Sequence, residues 1–262
     1  MENVKIFICT HKEMIFKKGD IYIPLLCGAD YHKEIKLLGD NIGDNISIKN
    51  KNYCELTGIY WIWKNINSAC KGICHYRRYF NKKNIEQLKY EDLERGVNLS
   101  KNEIESILDK YDIIVGKKVK GKPNLKENYG KFHRIEDLTK LEEIILKNCE
   151  EKYKLATEKV LREDKFYPCN MLLAKSKIFN NYCEWLFGVL FKLEKELEIS
   201  KDPYQARVFG FLSERMLGIY IEANKLKVKE LNVTILEEKL ELKLCKKIKY
   251  NFKLFFRKGR KL

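Results

Sequence analysis

Along its apolar and polar positions the chain alternates short runs of strand character with longer stretches of helical period. Residues 4–9 make a compact apolar run suited to a buried first strand, and residues 21–27 make a second that ends at Gly28. Residues 38–50 are dense in Gly, Asp and Asn, which predicts a loop whose side chains bond their own backbone. Leu56, Ile59, Tyr60 and Trp63 then recur at helical spacing, with Glu55 at the start of that helix. Gly58 inside it costs about 1 kcal/mol relative to Ala, a cost easier to explain if another group approaches the backbone. Ile73, Cys74 and Tyr76 predict a short strand leading into His75-Tyr-Arg-Arg78.

Downstream, residues 81–98 are hydrophilic and read as a long connection or a pair of short helical turns. Ser100-x-x-Glu103 is a capping-box signature that opens a short helix. Residues 111–115 predict a strand, and the lysine- and glycine-rich stretch 116–133 a loop able to close over a ligand. Helices are expected near 138–149, 154–161 and 178–193. Between the last two, 166–174 reads as a loop and strand, with Asn170 where the apolar run begins. Pro203 is expected to open a further helix whose inner stripe is Phe209, Leu212, Met216 and Ile219. Arg207 and Glu214 lie two turns apart on it, and residues 219–221 read as a final short strand. This alternation predicts an α/β fold with a central, mostly parallel sheet flanked by helices.

Charge changes the picture at one end. The formal net charge is +15, and from Lys239 to Leu262 ten Lys or Arg stand against one Glu, interleaved with aliphatic and aromatic residues. Such a segment suits an anionic membrane surface. It is expected to be a basic amphipathic extension, 226–262, behind a main domain of 1–225. No helix concentrates its basic residues on one face, so a nucleic-acid partner is not expected. Lys5, His11 and Lys12 break the signal-peptide pattern, and no run is long enough for a bilayer span. The nine cysteines, an odd number without a C-x-x-C pair, read as reduced thiols. The expectation is a cytoplasmic protein, peripheral at the inner face of the membrane.

The chemistry-bearing residues are His11, Lys12, Asp40, Asn45, Glu55, His75, Arg77, Arg78, Asn170, Arg207 and Glu214. They are rich in phosphate donors and amides, because guanidinium presents a rigid fork of N–H groups, and they contain no hydrolase triad. The plainer reading is a surface basic pair, a core histidine and a glutamate in an ion pair. Asp40, Asp44 and Asn45 suit either a turn, a ribose or a cation, although their spacing departs from a calcium loop. Cys70, Cys74 and His75 lack a fourth zinc ligand nearby. There is no P-loop and no dinucleotide fingerprint.

Three runs carry a resemblance: Gly39-Asp-Asn-Ile-Gly-Asp-Asn-Ile-Ser-Ile-Lys-Asn50, then Tyr53 to Asn65, then His75-Tyr-Arg-Arg-Tyr-Phe80. Asn170-Met171, Tyr182 to Phe187 and Gln205 to Arg215 extend it. The chain to about residue 221 resembles a bacterial family catalogued as a domain of unknown function, encountered in capsular, exopolysaccharide and lipopolysaccharide biosynthesis loci and regarded as glycosyltransferases. The resemblance implies a GT-A-like fold and a UDP-sugar donor, with galactofuranose as one candidate sugar. It also implies a lipid-linked or growing glycan as acceptor. It would put the nucleotide at Thr10, His11 and Lys12, with Asn41 and Asn50 among the binding residues. His75-Tyr-Arg-Arg78 would stand where such enzymes carry an Asp-x-Asp metal motif. That departure argues against a Mn or Mg cofactor, for which only Asp40 and Asp44 would be left, and gives Arg77 or Arg78, with Lys12, the task of neutralising the diphosphate. Glu214, Glu55 and His75 are the catalytic candidates. The alternative is a catalytically idle scaffold that binds sugar nucleotides or glycans.

Overall fold

The computed structural model describes residues 3–97 and 99–237. The basic run 239–262, and with it the expected membrane contact, lies outside the described residues. The strands are β1 (Val4–Thr10), β2 (Tyr22–Leu26), β3 (Leu38–Gly39), β4 (Cys70–His75), β5 (Arg78–Asn81), β6 (Gln87–Leu88), β7 (Ile113–Gly116), β8 (Val119–Lys120), β9 (Lys165–Phe166), β10 (Leu172–Lys175) and β11 (Val228–Leu236). The helices are α1 (Asn50–Tyr53), α2 (Leu56–Asn65), α3 (Leu93–Gly96), α4 (Lys101–Leu108), α5 (Leu125–Phe132), α6 (Ile135–Asn148), α7 (Glu151–Arg162), α8 (Ser176–Glu194) and α9 (Val208–Ala223).

The main sheet runs β10-β7-β11-β5-β4-β1-β2-β3, with β6 beside β11. Its β4-β1-β2-β3 half is parallel, whereas β4–β5, β5–β11, β7–β10 and β10–β4 are antiparallel. β11 is parallel to both β7 and β6, so parallel pairings outnumber antiparallel ones five to four, and the sheet is mixed with parallel pairing in the majority. β1 shows why both faces are covered: Phe7 and Cys9 enter one core cluster, Ile6 and Ile8 the other.

β4 is the branch point. One edge pairs β1 throughout, while the other pairs β10 at Cys70–Gly72 and then β5 at His75. A Cβ on Gly72 would sit 2.6 Å from Leu173 Cδ1 and 2.9 Å from Leu173 Cβ, so the Leu173 side chain can pack here only against glycine. The fork leaves His75 at the mouth of the split, where the Tyr76-Arg77 turn folds β5 back.

α2 is buried on nearly every side from Leu56 to Ile62, not only along its expected stripe. It lies between the sheet and α8, with Trp63 stacked on Phe187 at 5.8 Å. The expected close approach at Gly58 is there: a Cβ would meet Cys27 Sγ at 2.6 Å and Cys9 Sγ at 3.1 Å. The capping box at Ser100 and Glu103 forms as read.

Four expectations change. Stretch 116–133 is β8 and α5 rather than an open loop, because Asn124 caps α5 through the Glu127 N–H and Leu125 and Tyr129 are buried. Residues 219–221 are the interior of α9. Pro203 precedes a turn held by Asp202, and α9 begins only at Val208. The extension does not begin at 226, since Val228–Leu236 is a strand between β7 and β5. Its polar outward residues hid it in a basic context. Among the described residues no helix is long and apolar enough to cross a membrane.

Candidate active site

The carboxyl ends of β1, β2 and β4 open on one side of the sheet, where ligands of parallel α/β sheets are held. A cleft of about 880 Å³ lies there. It gathers Thr10 and His11 at the end of β1, Asn50 at the start of α1 and Glu55 just before α2, His75, Arg78, Arg207 immediately before α9 and Glu214 within it. These come from four separate stretches of sequence, and all were singled out before the fold. Tyr76, Cys54, Cys169 and the segment at Ile199, Ser200 and Pro203 complete the walls.

The floor is organised by two consecutive non-glycine residues in left-handed backbone, Cys169 at φ 67° and Asn170 at φ 52°. Each such residue costs on the order of 1–3 kcal/mol. Three cleft side chains hold the pair. The Cys169 N–H donates to Glu214 Oε1 at 2.7 Å, and the Cys169 carbonyl accepts from His75 Nε2 at 2.5 Å. The Asn170 amide donates to Glu55 Oε1 at 2.7 Å and to the Gly210 carbonyl at 3.2 Å. Both partners of that amide are acceptors, which fixes its NH₂ toward them. Likewise a carbonyl only accepts, so His75 carries a proton on Nε2. Burial pushes the His75 pKa down, favouring the neutral ring with Nδ1 unprotonated.

Glu214 has both oxygens engaged, Oε1 by Cys169 and Oε2 by Arg215 Nη1 at 3.1 Å. Burial raises its pKa, against the pull of Arg215 and the Cys169 N–H. Arg215 itself is buried between the rings of Phe166 at 4.4 Å and Tyr129 at 5.2 Å. Glu55 also lines the cleft, oriented by the Asn170 amide. Beside it Cys54 adopts φ 51°, ψ −130°, and Arg207 Nε donates to its sulfur at 3.2 Å. Burial and the charge of Glu55 push that thiol up to about 11, so it stays protonated.

At the rim Tyr76 is a hub of cations: Lys12 Nζ lies 5.3 Å from its ring, Arg77 5.9 Å, and the His11 ring meets it edge-on at 5.2 Å. Desolvation and the Lys12 charge lower the His11 pKa. Lys12 and Arg77 thus stand behind Tyr76 rather than among the cleft walls.

The Asp-Asn loop is put to structural use. Asp40 is fully buried and accepts from the N–H groups of Gly28 and Ala29 and from Ser47 Oγ. That leaves it no role toward ribose or cation. Asn41 bonds Asp30, Asn45 bonds Gly43 and Ser47, and Asp44 receives the Tyr60 hydroxyl. Asn50 sits at the cleft with its amide on Cys54 O and Thr57 Oγ1. Asn170 is wholly buried, with its amide on Glu55 instead of exposed in the cleft. Cys54, Tyr76 and Cys169 were not singled out for the site; the first two lie inside quoted motifs, and nothing in the sequence marks Cys169 for left-handed backbone. Among the described residues no three His, Cys, Asp or Glu side chains gather in a metal-ligating group.

No curated protein matches the chain. Among solved structures it is similar to the apo structure of the WbbM bifunctional glycosyltransferase, at 30% identity and a TM-score of 0.82, over 90% of this chain and 46% of that one. The chain therefore spans about half the length of that protein. A family model described as a domain of unknown function, DUF4422, matches residues 5–225. With most of the chain inside that match, from β1 through α9, the protein belongs to the DUF4422 family.

Proposed function

We propose that the protein is a glycosyltransferase of GT-A-like architecture that moves a sugar from a UDP-sugar to a glycan acceptor in surface-polysaccharide synthesis. The observation that carries this is the convergence of Arg78, Arg207, His75, Glu55 and Glu214 in one cleft at the carboxyl ends of parallel strands. The likeness to a bifunctional glycosyltransferase supports it.

In this reading the diphosphate lies between Arg78 and Arg207, whose guanidiniums offset the charge that develops as UDP departs. Glu55 is the base. It faces the cleft and is aimed by Asn170, whereas both oxygens of Glu214 are already bonded. The acceptor hydroxyl attacks the anomeric carbon, its proton passes to Glu55, and the bond from that carbon to the diphosphate oxygen breaks with the electron pair leaving on UDP. The sugar inverts in a single displacement. Glu214 keeps the Cys169–Asn170 turn in place.

Purified protein incubated with UDP-hexoses, UDP-galactofuranose among them, and a glycan acceptor should release UDP. Release that persists in EDTA supports arginine in the metal's place; release that returns only with manganese assigns the diphosphate to a cation instead. Binding of UDP-sugar without any turnover would leave a sugar-nucleotide-binding scaffold and overturn the enzymatic reading.

A further inference from the structure

Beyond the donor cleft, a second aromatic surface adjoins it. Tyr204 lies between Pro203 and Ala206, both of which line the cleft. Its ring belongs to a stack with His133 at 5.9 Å and Phe211 at 5.1 Å, while His133 and Phe211 are 4.0 Å apart and nearly parallel. Arg207 joins the two places, with Nε on Cys54 in the cleft and its guanidinium 5.4 Å from the Phe211 ring.

Two of the large apolar side chains here face solvent, Tyr204 at 51% and Phe132 at 62% exposure. The segment carrying them is nevertheless fixed. Asp202 accepts from the N–H groups of Tyr204 and Gln205. The Gln205 amide donates to the Phe132 carbonyl, and Arg134 donates to the Glu198 carbonyl. Burial and the Arg215 charge hold His133 down to about 4, so the stack is uncharged at neutral pH. A rigid, neutral ring face beside a polar cleft suits a partner with an apolar face and a hydroxylated edge, which is the chemistry of a pyranose ring.

We propose that Tyr204, backed by His133 and Phe211, is the subsite on which a sugar ring of the acceptor glycan packs. This rests on the glycosyltransferase reading. A nucleobase would also stack on such a face, but the expected nucleotide position is Thr10 and His11 at the end of β1, on the far side of the diphosphate from these rings in the proposed reading, so the ring stack is assigned to the acceptor.

The test separates the two readings. In saturation-transfer NMR, methyl glycosides of galactose, glucose and mannose should receive magnetisation from the wild-type protein and lose it with Tyr204→Ala. Tyr204→Trp should retain it. This measurement needs no turnover, so it stands or falls apart from the transferase assignment. In kinetics, Tyr204→Ala should raise the acceptor KM about tenfold, against less than about a twofold change in donor KM. Saturation transfer that is absent, or equal in wild type and Tyr204→Ala, overturns the proposal. So does a rise confined to donor KM, which would hand the rings to the nucleobase.

Discussion

Asn170 donates its side-chain amide to Glu55 across 2.7 Å, joining residues 115 positions apart. The bond ties the end of the 168–170 turn to the start of α2, and so couples the strained floor of the cleft to its candidate base. Replacing Asn170 should lower kcat about a hundredfold through loss of that aim. Asn170→Gly keeps the left-handed backbone relaxed, whereas Asn170→Ala adds about 1–2 kcal/mol of strain. Both variants should lose activity alike while Ala melts lower. Wild-type kcat in the glycine variant would remove Asn170 from the positioning of Glu55.

Arg78 pairs with His75 across the β4–β5 hairpin and opens into the cleft. A charge-assisted hydrogen bond contributes about 1.5–3 kcal/mol. Arg78→Met should therefore weaken UDP binding by about tenfold to a hundredfold, read by titration calorimetry, and leave uridine binding nearly unchanged. Equal losses for both ligands would point to a collapsed site instead.

Asp40 tests the opposite kind of assignment. With two backbone N–H groups and a serine hydroxyl on its carboxylate, Asp40→Ala should cost about 3 kcal/mol of folding stability in a denaturant titration. Affinity for UDP in the fraction that stays folded should hold. Lost affinity at full stability would restore a ligand role to the aspartate.

Two groups set opposing pH slopes. Burial raises the Glu214 pKa, so the folded protein holds that proton more firmly than the unfolded chain does. Its contribution is full below the ordinary carboxylate range and is lost as pH rises through the folded value. Glu214→Gln should flatten that decline. His133 runs the other way: held at about 4 from an ordinary 6.5, it contributes stability above 6.5 that is lost as pH falls through about 4. His133→Phe should flatten the acid limb of the melting-temperature profile. Parallel profiles for wild type and either variant would count against the corresponding assignment.

Much of the cleft was legible because its residues fall where apolar periodicity changes. His75 ends a strand run, Glu55 begins a helical one, and Asn170 opens another strand. What could not be read was direction. The density of Asp and Asn in 40–45 is equally suited to a ligand and to a self-bonded turn, and only the fold shows Asp40 pointing into the protein. Likewise Cys169 gives no sign that its backbone turns left-handed, because the cost is met by Glu214 and His75 from elsewhere in the chain. The antiparallel pairings within the sheet were not legible for a related reason. β10 and β11 alter its polarity, yet each is defined by partners far away rather than by its own pattern.

β11 has a consequence for how the protein is made. The family match stops at residue 225, yet the strand between β7 and β5 is residues 228–236. A chain cut at that limit would carry two unpaired edges in the interior of the sheet, where natural sheets keep no protective lysines or bulges. It should aggregate on expression, while one ending after residue 237 should remain in solution. During synthesis the same gap persists until the ribosome has released the last of these strands. The sheet between β7 and β5 is thus completed only by residues 228–236.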